Sequence, residues 1–190
     1  MKKLILVLFL FTCLFTISVF AWSPNDLTKY PPVMDDNDWI LNIGVGVGLI
    51  FIDNIFSDET YLPPFRVTLD KNVPIGDKNL PFFFGGFFGY SGYGVRGAYF
   101  NHRFPVAARA GYHFNWGVEK LDTYAVTTAG WIINIPTGNY NKRDNLISED
   151  LLFDIKIGGR WFISDSFGFW AEAGFGNTPS LFDIGITLKF

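Results

Sequence analysis

"SLFDIGITLKF", Ser180 to Phe190, closes the chain on an alternation that runs to the last residue. Phe182, Ile184, Ile186, Leu188 and Phe190 share one parity, and Asp183, Gly185, Thr187 and Lys189 share the other. A strict period of two describes a β-strand with one apolar face. A chain end stays ordered only when something ties it down. The pattern therefore demands a partner strand, and the solvent met by the apolar row decides the fold.

Upstream the same period recurs. Residues 150–163 set Leu151, Phe153, Ile155, Ile157, Trp161 and Ile163 against Asp154, Lys156, Gly158 and Arg160. Residues 166–176 set Phe167, Phe169, Ala171, Ala173 and Phe175 against Gly168, Trp170, Glu172 and Gly174. Residues 39–52, 65–70 and 104–116 alternate likewise, the last carrying Arg109 and His113 on its polar row. Residues 80–90 hold so many phenylalanines that the pattern assigns no facing. Residues 121–135 have mixed parity: Trp131, Ile133 and Ile135 oppose Tyr124 and Val126, which suggests a bulge. With the terminal stretch these make eight predicted strands, and no helical stripe interrupts them. An even number of antiparallel strands can close into an up-and-down barrel with no free edge.

A water-soluble barrel and a membrane barrel share this period and differ in which row faces outward. The second row is a poor water surface, being mostly glycine with single charges. Arg66, Arg109, Lys156, Arg160 and Lys189 balance Asp70, Asp154, Glu172 and Asp183, with His113 among them. Such near-balance suits a closed interior, where buried charges must be paired. The apolar row places Trp39, Trp116, Trp161, Phe167 and Phe190 near strand ends, as an aromatic girdle at a membrane interface would require. The predicted strands match the ~9–11 tilted residues that cross a bilayer. The reading is an all-β, eight-stranded antiparallel transmembrane barrel; a soluble carrier barrel is the competing one. With both termini periplasmic, the outer connections are 53–64, 91–103, 136–149 and a tight 177–179. The inner ones are 71–79, 117–120 and 164–165, the first longer than a simple turn.

The N-terminus supports export. Lys2 and Lys3 precede an apolar run over residues 4–20 that ends at Ala21, the layout of a cleaved signal peptide. A membrane anchor is the alternative, and the run sits at the lower limit for spanning. Cleavage would remove two of the 15 basic residues and none of the 18 acidic ones, taking the net charge from −3 to −5. It would also remove Cys13, the chain's single cysteine, unless that residue is lipidated instead. Residues 22–38, rich in Pro, Asp and Asn, read as a periplasmic linker, and 39–190 as the barrel. The small net charge and absence of a basic cluster speak against nucleic acid.

The stretch "GGRWFISDSFGFWAEAGFG", residues 158–176, resembles the penultimate hairpin of small eight-stranded outer-membrane barrels, the OmpA/OmpX-like and opacity-type surface proteins. The tail "DIGITLKF" is similar to their C-terminal assembly signal, with Asp183, Gly185, Leu188 and Phe190 at the matching positions. The resemblance implies outer-membrane lipid, the assembly machinery and periplasmic chaperones as partners, and a monomer. It implies architecture more than activity.

Catalytic chemistry is sparse. His113 lies on the inward row without an adjacent Ser, so a lipid-modifying triad lacks a visible nucleophile. The mature chain has no Cys and no paired His for a metal, and no cofactor is expected. "GVGVG" at residues 44–48 reads as an inward glycine row, since no helix follows to make a phosphate loop. "TGNYNKRDN", residues 137–145, is a polar loop suited to a host or polysaccharide contact. The expected role is structural or surface-interacting, with a narrow solute channel second and a lipid-modifying enzyme third.

Overall fold

The structure is a computed structural model that describes residues 33–36, 38–48, 59–76, 80–95, 98–138 and 147–190. The predicted leader, residues 22–32, residues 49–52 and positions 139–145 of the predicted polar loop lie outside the described residues. Eight strands follow in order: β1 (Trp39–Val47), β2 (Glu59–Ile75), β3 (Leu80–Val95), β4 (Tyr99–Phe114), β5 (Leu121–Gly138), β6 (Ser148–Phe162), β7 (Phe167–Gly176) and β8 (Phe182–Lys189). Each pairs antiparallel with the next, and β8 returns to β1 to close the barrel. The seam runs from Ile40↔Lys189 to Val47↔Phe182. Trp39 and Phe190 extend it by exchanging backbone bonds, Trp39 N–H donating to Phe190 O at 2.8 Å and Phe190 N–H to Trp39 O at 3.0 Å. The terminal Phe thus closes a ladder that would otherwise leave backbone groups unpaired.

Gly44 and Gly185 face one another across this seam. A Cβ at Gly185 would stand 2.0 Å from the Ile43 carbonyl oxygen, and one at Gly44 would meet the Trp170 ring at 2.9 Å. Glycine at position 44 is therefore a packing requirement, because the large Trp170 side chain lies against it.

Three expectations need correction. The predicted bulge in 121–135 is absent: β5 pairs residue by residue with β4 and β6. Tyr124 and Val126 belong to its inner row, as Ile132 does, so the mixed parity reflects apolar residues on both faces. The irregularity lies instead in β2, between Leu62 and Phe65, where Pro63 and Pro64 interrupt the ladder. Proline lacks the donor a ladder needs, and a bulge accommodates that loss. Secondly, residues 71–79 are mostly strand; β2 and β3 pair out to Ile75↔Leu80, leaving a turn entered through Gly76 with φ +75°. Thirdly, residues 91–103 are mostly hairpin, since β3 and β4 pair out to Val95↔Tyr99. For β3 the facing is now defined: Phe83 and Phe87 point inward, Phe84 and Phe88 outward.

Candidate functional site

The inner row of nearly every strand contributes a charge to one continuous network. β2 supplies Arg66 and Asp70, β4 Arg109 and His113, β5 Asp122, β6 Asp154, Lys156 and Arg160, β7 Glu172, and β8 Asp183; all are buried. Acid and base alternate along it. His113 Nδ1 stands 2.6 Å from Asp122, whose other oxygen accepts from Arg160 at 2.6 Å. Arg160 also reaches Asp70 at 3.0 Å, and Asp70 faces Arg109 at 3.1 Å. Arg109 donates to Glu172 at 2.6 Å, Glu172 faces Arg66 at 2.9 Å, and Arg66 donates to Asp183 at 2.9 Å. Lys156 donates to Asp183 at 2.5 Å and to the Ser180 carbonyl at 2.9 Å, ending the series. A buried ion pair is tolerable only when its remaining hydrogen-bonding capacity is filled. Here that capacity is filled in part: the Tyr124 hydroxyl donates to Glu172 at 2.9 Å and Asn42 accepts from Arg160 at 3.2 Å, while Arg66 Nε, Arg109 Nη1 and both Asp154 carboxylate oxygens bond no described residue. The Arg160 guanidinium also lies 4.1 Å from the Tyr124 ring centroid, and that of Arg66 4.5 Å from Phe87.

Apolar caps cover this network at both ends. Met34, Ile40 and Phe162 pack together at the mouth that carries the termini, with Val33 against them. Phe87, Ala107, Ile132 and Leu152 pack together at the far end. Among the described residues, apolar side chains thus pack at both ends of the charged layer, whose members are all 5% exposed or less.

Two predicted members stand apart. Lys189 lies at the terminal mouth, where it donates to the Val33 carbonyl at 3.2 Å and stands 3.8 Å from Asp38. Its position at the end of β8 puts it beyond the packed layer, so it holds the preceding segment against the mouth. Asn72 assists by donating to the Asp35 carbonyl at 2.8 Å. Asp154 is inside, but among the described residues its carboxylate meets only Lys156, at 3.9 Å. Asp122 was missed because Tyr124, Val126 and Ile132 share its inner row and blur the parity, although Thr128 and Asn134 on the same row are polar. His113 is bonded to Asp122, and no serine hydroxyl bonds its ring among the described residues. No group of three metal-ligating side chains occurs among the described residues.

Every strand turns large apolar side chains outward, among them Val45, Leu69, Phe84, Val106, Trp131, Phe153, Phe169 and Ile184. Trp39, Trp116, Trp161, Phe167 and Phe190 lie around the rim that carries the termini. A second aromatic group, unmarked in the sequence reading, lies on β3 and β4 toward the other rim. There the Tyr90 hydroxyl and His102 Nδ1 are 2.9 Å apart, with Phe104 and Phe100 packed beside them. Of the tail residues, Asp183 joins the charge network, Gly185 packs on Gly44, and Leu188 sits between Leu41 and Phe167.

Fold and interior together define a class: a closed eight-stranded antiparallel up-and-down barrel with an apolar exterior and a filled, charged interior. No family model matches the chain, and no curated protein matches it. Among solved structures it is similar to the N-terminal β-barrel domain of Pseudomonas aeruginosa OprF, at 11% identity and a TM-score of 0.49, over 83% of this chain and 100% of that one.

Proposed function

We propose that the chain is an integral outer-membrane protein of the OmpA/OmpX-like, opacity-type kind, with a structural or surface-interaction role exerted through the loops opposite its termini. The inversion of polarity carries the reading. Apolar side chains cover the outside of all eight strands, while ten charged or titratable groups are enclosed. Water would reverse that distribution, whereas hydrocarbon favours it, and lipid requires a closed ladder with no edge. Outward residues exposed by about half, such as Phe153 and Trp131, would each cost on the order of 1 kcal/mol to leave in water rather than to bury.

Export through the predicted leader and insertion by the outer-membrane assembly machinery, with periplasmic chaperones, belong to the same proposal. The packed interior speaks against a permanently open channel, because conduction would require breaking paired buried charges. The test is migration on cold SDS gels after refolding into detergent. A heat-modifiable band supports the reading; a mature chain that dissolves as a monomer in plain buffer refutes it.

A further inference from the structure

The two prolines of β2 have a geometric consequence at the far end of the barrel. Below them Arg66, Thr68 and Asp70 point inward; above them the register shifts by one. Such a bulge re-aims every side chain beyond it. Tyr61 is thereby turned to pair with Tyr93, whose parity on β3 is that of the inward residues Phe83, Phe87 and Ser91. Across the next ladder Tyr93 opposes Asn101 and Ser91 opposes Arg103, both on the inward parity of β4. These side chains share the inward parity of their strands beyond the Phe87, Ala107, Ile132 and Leu152 layer. Asn101 donates to the Tyr93 hydroxyl at 3.1 Å. Ser91 is 2% exposed, yet its hydroxyl bonds no described residue, nor does the buried Asn101 carbonyl oxygen. Arg103 forms no ion pair among the described residues, unlike Arg66, Arg109 and Arg160.

We propose that this inward-facing group is a binding site for a carboxylate-bearing saccharide. Arg103 would pair with the carboxylate through its planar fork. Tyr61 and Tyr93 would lie against the apolar face of the sugar ring, as amphipathic aromatics do in binding sites. Ser91 and Asn101 would bond its hydroxyls, which accounts for buried polar atoms that the fold itself leaves unbonded. The proposal rests on the far end facing outward from the cell, as read above.

The refolded mature chain in detergent, first shown to be heat-modifiable, is applied to a panel of uronic-acid and sialic-acid oligosaccharides beside neutral ones of equal length. Binding confined to the acidic members is expected, weakened at least tenfold by Arg103→Gln and by Tyr93→Leu while both variants keep the heat-modifiable band. Arg103→Lys should retain part of the affinity. No binding of any acidic member, equal binding of the neutral ones, or indifference to both substitutions in folded protein overturns the site. Loss of the heat-modifiable band in the unsubstituted chain instead strikes the barrel reading beneath it.

Discussion

Glu172→Gln is the most discriminating single change in the interior. Glu172 is enclosed between two guanidiniums, 2.6 Å from Arg109 and 2.9 Å from Arg66, and accepts from Tyr124 at 2.9 Å. The substitution keeps the volume and removes the charge. Arg109 retains Asp70 and Arg66 retains Asp183, so neither cation is wholly abandoned. Each nonetheless loses one of two carboxylates inside a packed interior. Breaking a buried pair costs about 3–5 kcal/mol, and the remaining partners place the expected loss at the lower end, about 3 kcal/mol. The assay is equilibrium denaturant unfolding of the barrel in lipid vesicles, followed by tryptophan fluorescence. Combining Glu172→Gln with Arg109→Met should cost clearly less than the sum of the two single changes, with a coupling of at least about 1 kcal/mol. A loss under about 1 kcal/mol for Glu172→Gln, or strict additivity of the pair, would refute the linked network.

Deleting Phe190 removes two closing backbone bonds, each worth about 1 kcal/mol net, and a side chain that is largely exposed. We expect a small change in unfolding midpoint in vitro and a severe fall in outer-membrane abundance in cells; normal abundance by immunoblot of membrane fractions would count against the recognition role of the tail. Gly185→Val places a side chain against the Ile43 carbonyl and should prevent closure of the β1–β8 seam, visible as loss of the heat-modifiable band. Met34→Asp introduces a charge into the cluster with Ile40 and Phe162. The segment before Trp39 should then become readily cleaved by added protease, with the barrel itself intact; unchanged cleavage would show that Met34 does not hold it. In planar bilayers the refolded chain should remain electrically silent over ordinary voltages, and steady conductance would show that the packed interior opens.

Strands whose two rows differ in chemistry were legible in the sequence. β6 and β8 alternate apolar residues with charges or glycine, and Arg66, Arg109, Lys156, Arg160, Glu172 and Asp183 all face inward as that alternation implies. Legibility failed where both rows are apolar. Phe83 and Phe87 cannot be told from Phe84 and Phe88 by type, because the barrel uses aromatic side chains both as interior caps and as outer surface. Tyr124, Val126 and Ile132 posed the same problem in β5 and hid Asp122. Strand length was underestimated most in β2, where Pro63, Pro64 and Pro74 read as loop although the strand runs through all three. The parity switch that turns Tyr61 inward follows from backbone register, which no single-residue preference encodes.

The central claim is that the outward row meets hydrocarbon while the charges lie inside. Residues 22–190 contain no cysteine, so single cysteines can be introduced into a refolded chain of that span for spin labelling. Labels at Phe153, Ile155 and Ile157, on the outer face of β6, report the solvent directly when the barrel is reconstituted in lipid vesicles. The account predicts high collision with molecular oxygen and low collision with a water-soluble nickel chelate at all three positions. Chelate access equal to that of a label in water would contradict it.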